Sequence, residues 1–220
     1  MRVLVSTAAC ALLLLAGCGD QRAQPTASTP APARHTIPAG FPLLKGYPPD
    51  SDAESAQDGR EGPSRSMEPM VPEACGSRAQ VPTHDDWLRG SWTNPEDYRQ
   101  RQLVDFAHLR QARAYAERLL DLYRDCPREG PRDDTGHHAV QRGHLGDAAG
   151  IVTTTYTYRG SPRPGLMVTH VVRVGTAVLL ALTYNEGGAG RHPAREAARE
   201  RRRTAHEIEG VVTATRHQLK

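Results

Sequence analysis

Chemistry in this chain would have to come from thiols, imidazoles and carboxylates, and their spacing narrows what they can do. Cysteines stand at 10, 18, 75 and 126. His137, His138 and His144, with Asp147, are one cluster of metal-binding residue types, and His84-Asp85-Asp86 is another. Neither has the HxxxH or HExxH spacing that puts two imidazoles on one helix face. Both read as surface groups, and no metal site is expected. His170 shares a strand face with Leu166, Val168, Val172 and Val174, so it reads as a satisfied core histidine. No serine sits in a GxSxG elbow, and there is no CxxC or phosphate-cradling loop. Cys75 and Cys126 have each other and are poor candidates for nucleophiles. No catalytic residue and no cofactor are expected, and the chain reads as non-enzymatic.

Cys18 is a different case. An apolar segment, Val3 to Leu15, follows the single basic residue Arg2 and runs into Leu15-Ala16-Gly17-Cys18. A permanent transmembrane helix needs about 20 apolar residues, which this segment lacks. It has instead the charged, apolar and small-residue regions of a secretory signal. LAGC resembles a bacterial lipobox. That resemblance implies a diacylglycerol on the Cys18 thiol, cleavage before Cys18, and a further acyl chain such as palmitate on the new N-terminus. An ordinary secretory signal with Cys18 incidental is the alternative. Lipidation would hold the protein on the outer face of the cell membrane, at about 0.8 kcal/mol per buried CH₂.

Export sorts the remaining thiols. Cys10 leaves with segment 1–17 and Cys18 takes lipid, so Cys75 and Cys126 remain in an oxidising compartment. A disulfide is the natural reading, and two buried free thiols are the alternative. The 220 residues suit one domain behind a tail. A net charge of +3 gives no electrostatic support for nucleic acid as a partner. Arg199, Arg201, Arg202 and Arg203 are interspersed with Glu196, Glu200 and Glu207, which reads as a solvated helix face with i,i+4 pairs. Contact with anionic lipid headgroups is the rival. Lys45 and Lys220 are the only lysines among 28 Lys and Arg residues. That bias, with abundant alanine, points to a GC-rich genome such as an actinobacterium.

The elements that would position these groups follow in order. Residues 18–36 are Pro, Ala, Ser and Thr-rich and read as a disordered tether. The domain is expected over 37–220. Ile37 to Pro49 reads as an irregular segment packed on it, and 50–65 as a mobile polar loop. Strands are expected at Asp86 to Thr93 and Tyr98 to Phe106, with a turn at Asn94-Pro95. A helix starting at Pro95 and running to Cys126 is the rival reading of the second. Leu109 to Cys126 is the clearest helix, with Ala112, Ala116, Leu119, Leu120 and Tyr123 on one stripe. A polar loop over 127–137 precedes strands at Ala139 to Leu145, Ala149 to Tyr158, Leu166 to Val174 and Ala177 to Tyr184. Gly175-Thr176 predicts a two-residue type II′ turn. Val178, Leu180 and Leu182 share one face, and Val168, Val172 and Val174 share a face on the partner strand. A helix over Ala194 to Leu219 closes the chain, with Val211 to Thr215 an alternative short strand after Gly210.

IPAGFPLLKGYP, ACG at Cys75, RQLVDF before the helix ending DCP at Cys126, LGDAAG before a strand and VVRVGTAV at a hairpin together resemble one family. It is the actinobacterial extracellular sensor-like domain found on PknH-type receptor kinases and on stand-alone lipoproteins. The resemblance covers about 37–220. It implies an α+β fold, an antiparallel sheet with packed helices, and a cleft for an unidentified ligand. Cys75 and Cys126 match one family bridge, and the second bridge that the family often has finds no cysteines here. The resulting expectation is a membrane-anchored, ligand-binding or sensor-like lipoprotein. The alternatives are a structural or partner-binding envelope lipoprotein, using the sheet edge or an exposed Trp87/Trp92 region, and an envelope hydrolase.

Overall fold

The computed structural model describes residues 36–50, 58–189 and 192–219. The signal segment, Cys18, nearly all of the tether and residues 51–57 lie outside the described residues. Among those described, the strands are β1 (Gly59–Ser64), β2 (Glu73–Ala74), β3 (Ser77–Arg78), β4 (Asp86–Thr93), β5 (Asp97–Asp105), β6 (Arg128–Glu129), β7 (Asp134–Arg142), β8 (Ala148–Tyr158), β9 (Ser161–Val174) and β10 (Ala177–Asn185). The helices are α1 (Leu109–Arg124) and α2 (Pro193–Gln218). Eight strands form one sheet in the order β1-β4-β5-β10-β9-β8-β7-β6, and β2 and β3 form a separate hairpin. Every pairing in both sheets is antiparallel. The fold is therefore α+β, as expected. No helix among the described residues is long and apolar enough to cross a membrane.

The central strands are covered on both faces, which explains their nearly continuous apolar runs. Leu180 pairs with Val171, and Leu179 with Val172. Successive side chains alternate in direction, so the two pairs look to opposite sides. Val171, Val178 and Leu180 pack under α1 with Ala112, Tyr115 and Leu119. Val172, Val174, Leu179 and Ala181 pack with Ile208, Val211 and Val212 of α2 and with Ile37, Phe41 and Leu43. The two face sets read from the sequence thus line opposite layers. A fully buried Leu, Ile or Val of this kind contributes about 1.5–3 kcal/mol relative to an exposed one.

The turn between β9 and β10 falls where expected. Val174 pairs with Ala177 across it, and Gly175 has φ of 56°. A Cβ at Gly175 would meet nothing within 4 Å, so any penalty there comes from the backbone alone. Gly175→Val is expected to lower stability by about 1–3 kcal/mol. Thermal melting reads this directly, and an unchanged melting temperature would contradict it.

Several expectations need correcting. Residues 59–64 are a strand and not loop: β1 pairs with the edge of β4. The segment 127–137 is likewise not all loop, since β6 and the start of β7 lie in it. Helix α2 runs unbroken through Gly210, because Val211, Val212 and Thr215 all find buried positions in helical register. There is no strand at Val211 to Thr215. Trp92 is 3% exposed and lies under the Arg99 guanidinium. It offers no contact surface, and Trp87, on the opposite face of the strand, is half-buried.

The N-terminal segment is pinned by buried charge. Arg101, 2% exposed, donates to the Leu43 and Lys45 carbonyls at 2.9 and 2.6 Å and lies over the Tyr47 ring. Asp86 accepts from Arg65 Nε and from the Ile37 amide, each at 2.7 Å. Burial would raise the Asp86 carboxyl, but Arg65 and the Ile37 and Trp87 amides together hold it below its ordinary range. Asp86 is thus a buried anchor and not the surface group expected of His84-Asp85-Asp86.

Candidate functional site

The sheet is wider than the helix that covers one of its faces. A 16-residue helix such as α1 is about 24 Å long and about 10 Å wide. Eight strands at about 4.8 Å spacing span about 34 Å. Part of the α1 face must therefore stay open. Val104, Val178 and Val171 lie under the helix. Further along the same face, cross-strand pairing sets Gln100 beside Leu182 and Tyr98 beside Tyr184. The same rows continue as Leu182 beside Thr169 and Tyr184 beside Met167.

Of these, Gln100, Leu182, Thr169 and Met167 floor an open groove with two lobes, and Tyr98 and Tyr184 stand beside it on the same face. One, of about 310 Å³, runs from Arg89 and Gln100 across Leu182 and Thr169 and is walled by Pro69–Glu73. The other, of about 220 Å³, is lined by Tyr156, Thr154, His138, Glu129 and Arg163. Glu73, Tyr123 and Met167 line both lobes and form the waist between them.

The wall is held at two points. The Met70 amide donates to Gln102 Oε1 at 2.7 Å. Beyond Glu73, Cys75 and Gly76 form the β2–β3 turn, both at positive φ, and Cys75 is bonded to Cys126. The two Cα atoms lie 5.8 Å apart, within the usual range for a disulfide. The bridge fastens the groove wall to the end of α1, as the sequence led us to expect.

His138 was expected at the surface and is instead part of the groove. Its side chain is 4% exposed and packs edge-on against Tyr123. Nδ1 meets Thr154 Oγ1 at 2.9 Å and Nε2 meets Glu129 Oε2 at 3.3 Å. Burial lowers its pKa against the pull of Glu129, so the ring is neutral at neutral pH. Cys126, Glu129 and His138 bring potential metal ligands within 4.8 Å of one another. The Cys126 sulfur is spent in the disulfide, and this donor set does not suit a metal ion. His137 hydrogen-bonds Thr157 at 2.8 Å, and His144 is exposed. His170 is the satisfied core histidine expected, with Nε2 2.7 Å from Thr204 Oγ1.

An aromatic strip runs along the groove's outer edge. The Tyr98 and Tyr184 rings stack at 5.2 Å between centroids. A Cβ at Gly165 would come within 3.2 Å of both the Tyr184 hydroxyl and the Tyr156 ring. Glycine at 165 is what lets these two rings converge. Burial raises the Tyr156 phenol to about 12, and neighbouring Tyr98 and Tyr184 add to the effect. The Tyr123 phenol is likewise raised by burial to about 12. The Tyr123 and Tyr156 phenols are therefore neutral donors at neutral pH. Sequence reasoning missed the groove residues. The available signal was Thr169, a polar residue inside an otherwise apolar buried strand.

Arg199 and Arg202 are exposed on α2, whereas Arg203 pairs with Glu200 and Glu207 along the helix. The expected i,i+4 pairing is thus present.

No family model matches the chain, and no curated protein matches it. Among solved structures it is similar to the extracellular domain of PknH from Mycobacterium tuberculosis, at 12% identity and a TM-score of 0.38. The match covers 58% of this chain and 63% of that one, so it spans less than two thirds of that domain. It is the family that the sequence motifs resemble, and similarity at this level transfers neither residue roles nor a ligand.

Proposed function

We propose that the chain is a lipid-anchored, extracytoplasmic binding protein, sensor-like and non-enzymatic, whose ligand occupies the open half of the α1 face. The observation that carries this reading is the groove itself. Its floor is polar and aromatic where a buried sheet face would be apolar, and a disulfide fixes its wall. Small-molecule sites combine such concavity with a few placed polar groups. Binding is favoured over catalysis because the groove's titratable groups are tied to one another. Glu73 pairs with Arg78, Asp134 with Arg163 and Glu129 with His138. The disulfide suits an oxidising compartment, and the lipobox-like LAGC supplies the anchor. Of the contacts considered for the partner-binding alternative, Trp92 is buried and unavailable.

Cys18→Ala tests the anchor. The variant is expected to lose labelling by a lipid precursor and to leave the membrane fraction. A variant that stays membrane-bound with unchanged mobility would show that something else anchors the protein. For the binding reading, the test is whether any small ligand perturbs the groove amides.

A further inference from the structure

We infer that the groove takes a neutral saccharide, its ring faces laid on the Tyr98–Tyr184–Tyr156 strip and its hydroxyls bonded to Thr169 and Gln100. This rests on the proposed binding function and names the ligand class for that same site.

Charge excludes the main rivals. Among the described residues each carboxylate lining the groove has a partner, an arginine for Glu73 and Asp134 and the neutral His138 for Glu129. Glu73 meets Arg78 at 2.7 Å, Asp134 meets Arg163 at 3.1 Å and Glu129 meets His138 at 3.3 Å. Arg89 donates to the Glu68 carbonyl. With His138 neutral, Glu129 is offset by Arg89 across the groove and not by a paired cation. Glu73, Asp134 and Glu129 against Arg78, Arg163 and Arg89 leave no net charge for a strong anion or cation to meet.

The unspent capacity is neutral. Thr169 is 1% exposed, lines the larger lobe, and its Oγ1 has no hydrogen-bond partner among the described residues. A buried hydroxyl without a partner costs free energy, and a rotated Thr169 side chain offers it to a ligand hydroxyl. Gln100, half-buried on the same cross-strand row beyond Leu182, brings an amide with both donor and acceptor. Beside them lie flat rings. Tyr98, Tyr156 and Tyr184 are each half-buried, and Arg163 caps Tyr156 from one side.

Flat apolar rings next to neutral donors and acceptors match one ligand chemistry well. A pyranose has apolar C–H faces that stack on aromatic rings and equatorial hydroxyls that donate and accept at its rim. A purely apolar ligand would strand Thr169 and Gln100 without partners, which is costly in a dry site. The two lobes meet at Glu73, Tyr123 and Met167, so the groove accommodates linked rings and not a single compact one.

Maltotriose, cellotriose, mannotriose and galactotriose are each titrated into the isotope-labelled full chain. Inorganic phosphate and the apolar dye anilinonaphthalene sulfonate serve as comparison probes. At least one trisaccharide is expected to shift the amides of Thr169, Leu182 and Tyr184 saturably. Thr169→Val, nearly isosteric, should weaken that binding about tenfold, the worth of one good hydrogen bond, while leaving the melting temperature unchanged or higher. A merely structural threonine would not separate the two readouts in this way. Tyr184→Ala should weaken binding at least as much. Should it fail to fold, Thr169→Val and Gln100→Ala still decide. If sugars leave these amides unmoved while the dye or phosphate shifts them, the saccharide assignment falls and the binding function stands. If no probe moves them, both fall. Sugar binding that Thr169→Val and Gln100→Ala leave intact overturns the placement in this groove.

Discussion

Reducing the Cys75–Cys126 bridge is expected to lower the unfolding free energy by about 4 kcal/mol. The bridge closes a loop with a sequence separation of 51, and loop-closure entropy of the unfolded chain sets that magnitude. A domain of this size has about 5–15 kcal/mol in total, so the reduced protein keeps only a fraction of its stability. The native state adds a reason for the loss. Cys126 is buried with Ala74, Tyr123 and Val152, and the Cys75 amide donates to Glu129 Oε1 at 3.0 Å. Releasing Cys75 frees one end of the groove wall, while the Met70–Gln102 hydrogen bond still holds the other. Urea denaturation of the oxidised protein and of Cys75→Ser/Cys126→Ser measures the difference. A change under about 1 kcal/mol would show that the unfolded chain gains little freedom, contrary to the loop-entropy account. Any groove ligand should also bind the double variant more weakly.

Elements with one clean period were legible in the sequence. Helix α1 was, because Ala112, Leu119 and Tyr123 repeat at helical spacing and Pro127 follows. The β9–β10 hairpin was, because only a glycine suits the turn between two β-forming runs. What escaped notice was whatever gained its order from neighbours. Strand β1, GREGPS, has no β-forming residue and is a strand only because β4 presents an edge to it. Strand β7 is half-exposed and polar, so only its second half fell within the strand expected at Ala139 to Leu145. The first half, with His138, carries no hydrophobic signal and looked like surface loop. Tyr115 was left off the α1 stripe although it is fully buried, since a wide sheet accepts a broader helix face than one row. The tail of α2 reads as helix with a short strand as the alternative, because Gly210 weighs against a helix locally; packing of Val211, Val212 and Thr215 decides for the helix.

The groove was illegible for a different reason. Its residues come from all the strands β4 to β10, from α1, and from β2 with the wall before it. Each segment contributes one or two side chains at positions that look like ordinary outward-facing strand residues. Only the strand order puts them side by side, and β10 between β5 and β9 is a pairing across more than 70 residues of chain. Composition and local spacing do not encode that order. The disulfide was readable because cysteine chemistry is specific without register. The groove needs register first.

Stability should fall as pH drops from neutral toward 4, and His170 should account for much of the fall. The ring is 2% exposed, on the face of β9 that packs against α2. The Thr204 hydroxyl donates to the Glu200 carbonyl at 2.9 Å, so His170 Nε2 must be the donor in its own bond to Thr204. That fixes the neutral tautomer. Burial pulls the His170 pKa from 6.5 to about 4, and His144 and Arg101 push the same way. In the unfolded chain the imidazole protonates near 6.5. The folded state therefore holds its full stability above that value and loses it as pH falls. The loss stops growing once the folded imidazole also protonates, near 4. At about 1.4 kcal/mol per pH unit, the whole interval is worth about 3 kcal/mol. His138, lowered by burial too, adds to the slope with the same sign. His170→Gln keeps an N–H for Thr204 and removes the titration. Urea midpoints between pH 7 and 4 should fall steeply for the native sequence and distinctly less for His170→Gln. Parallel curves for the two proteins would mean that the imidazole is already charged in the folded state, or that water reaches it.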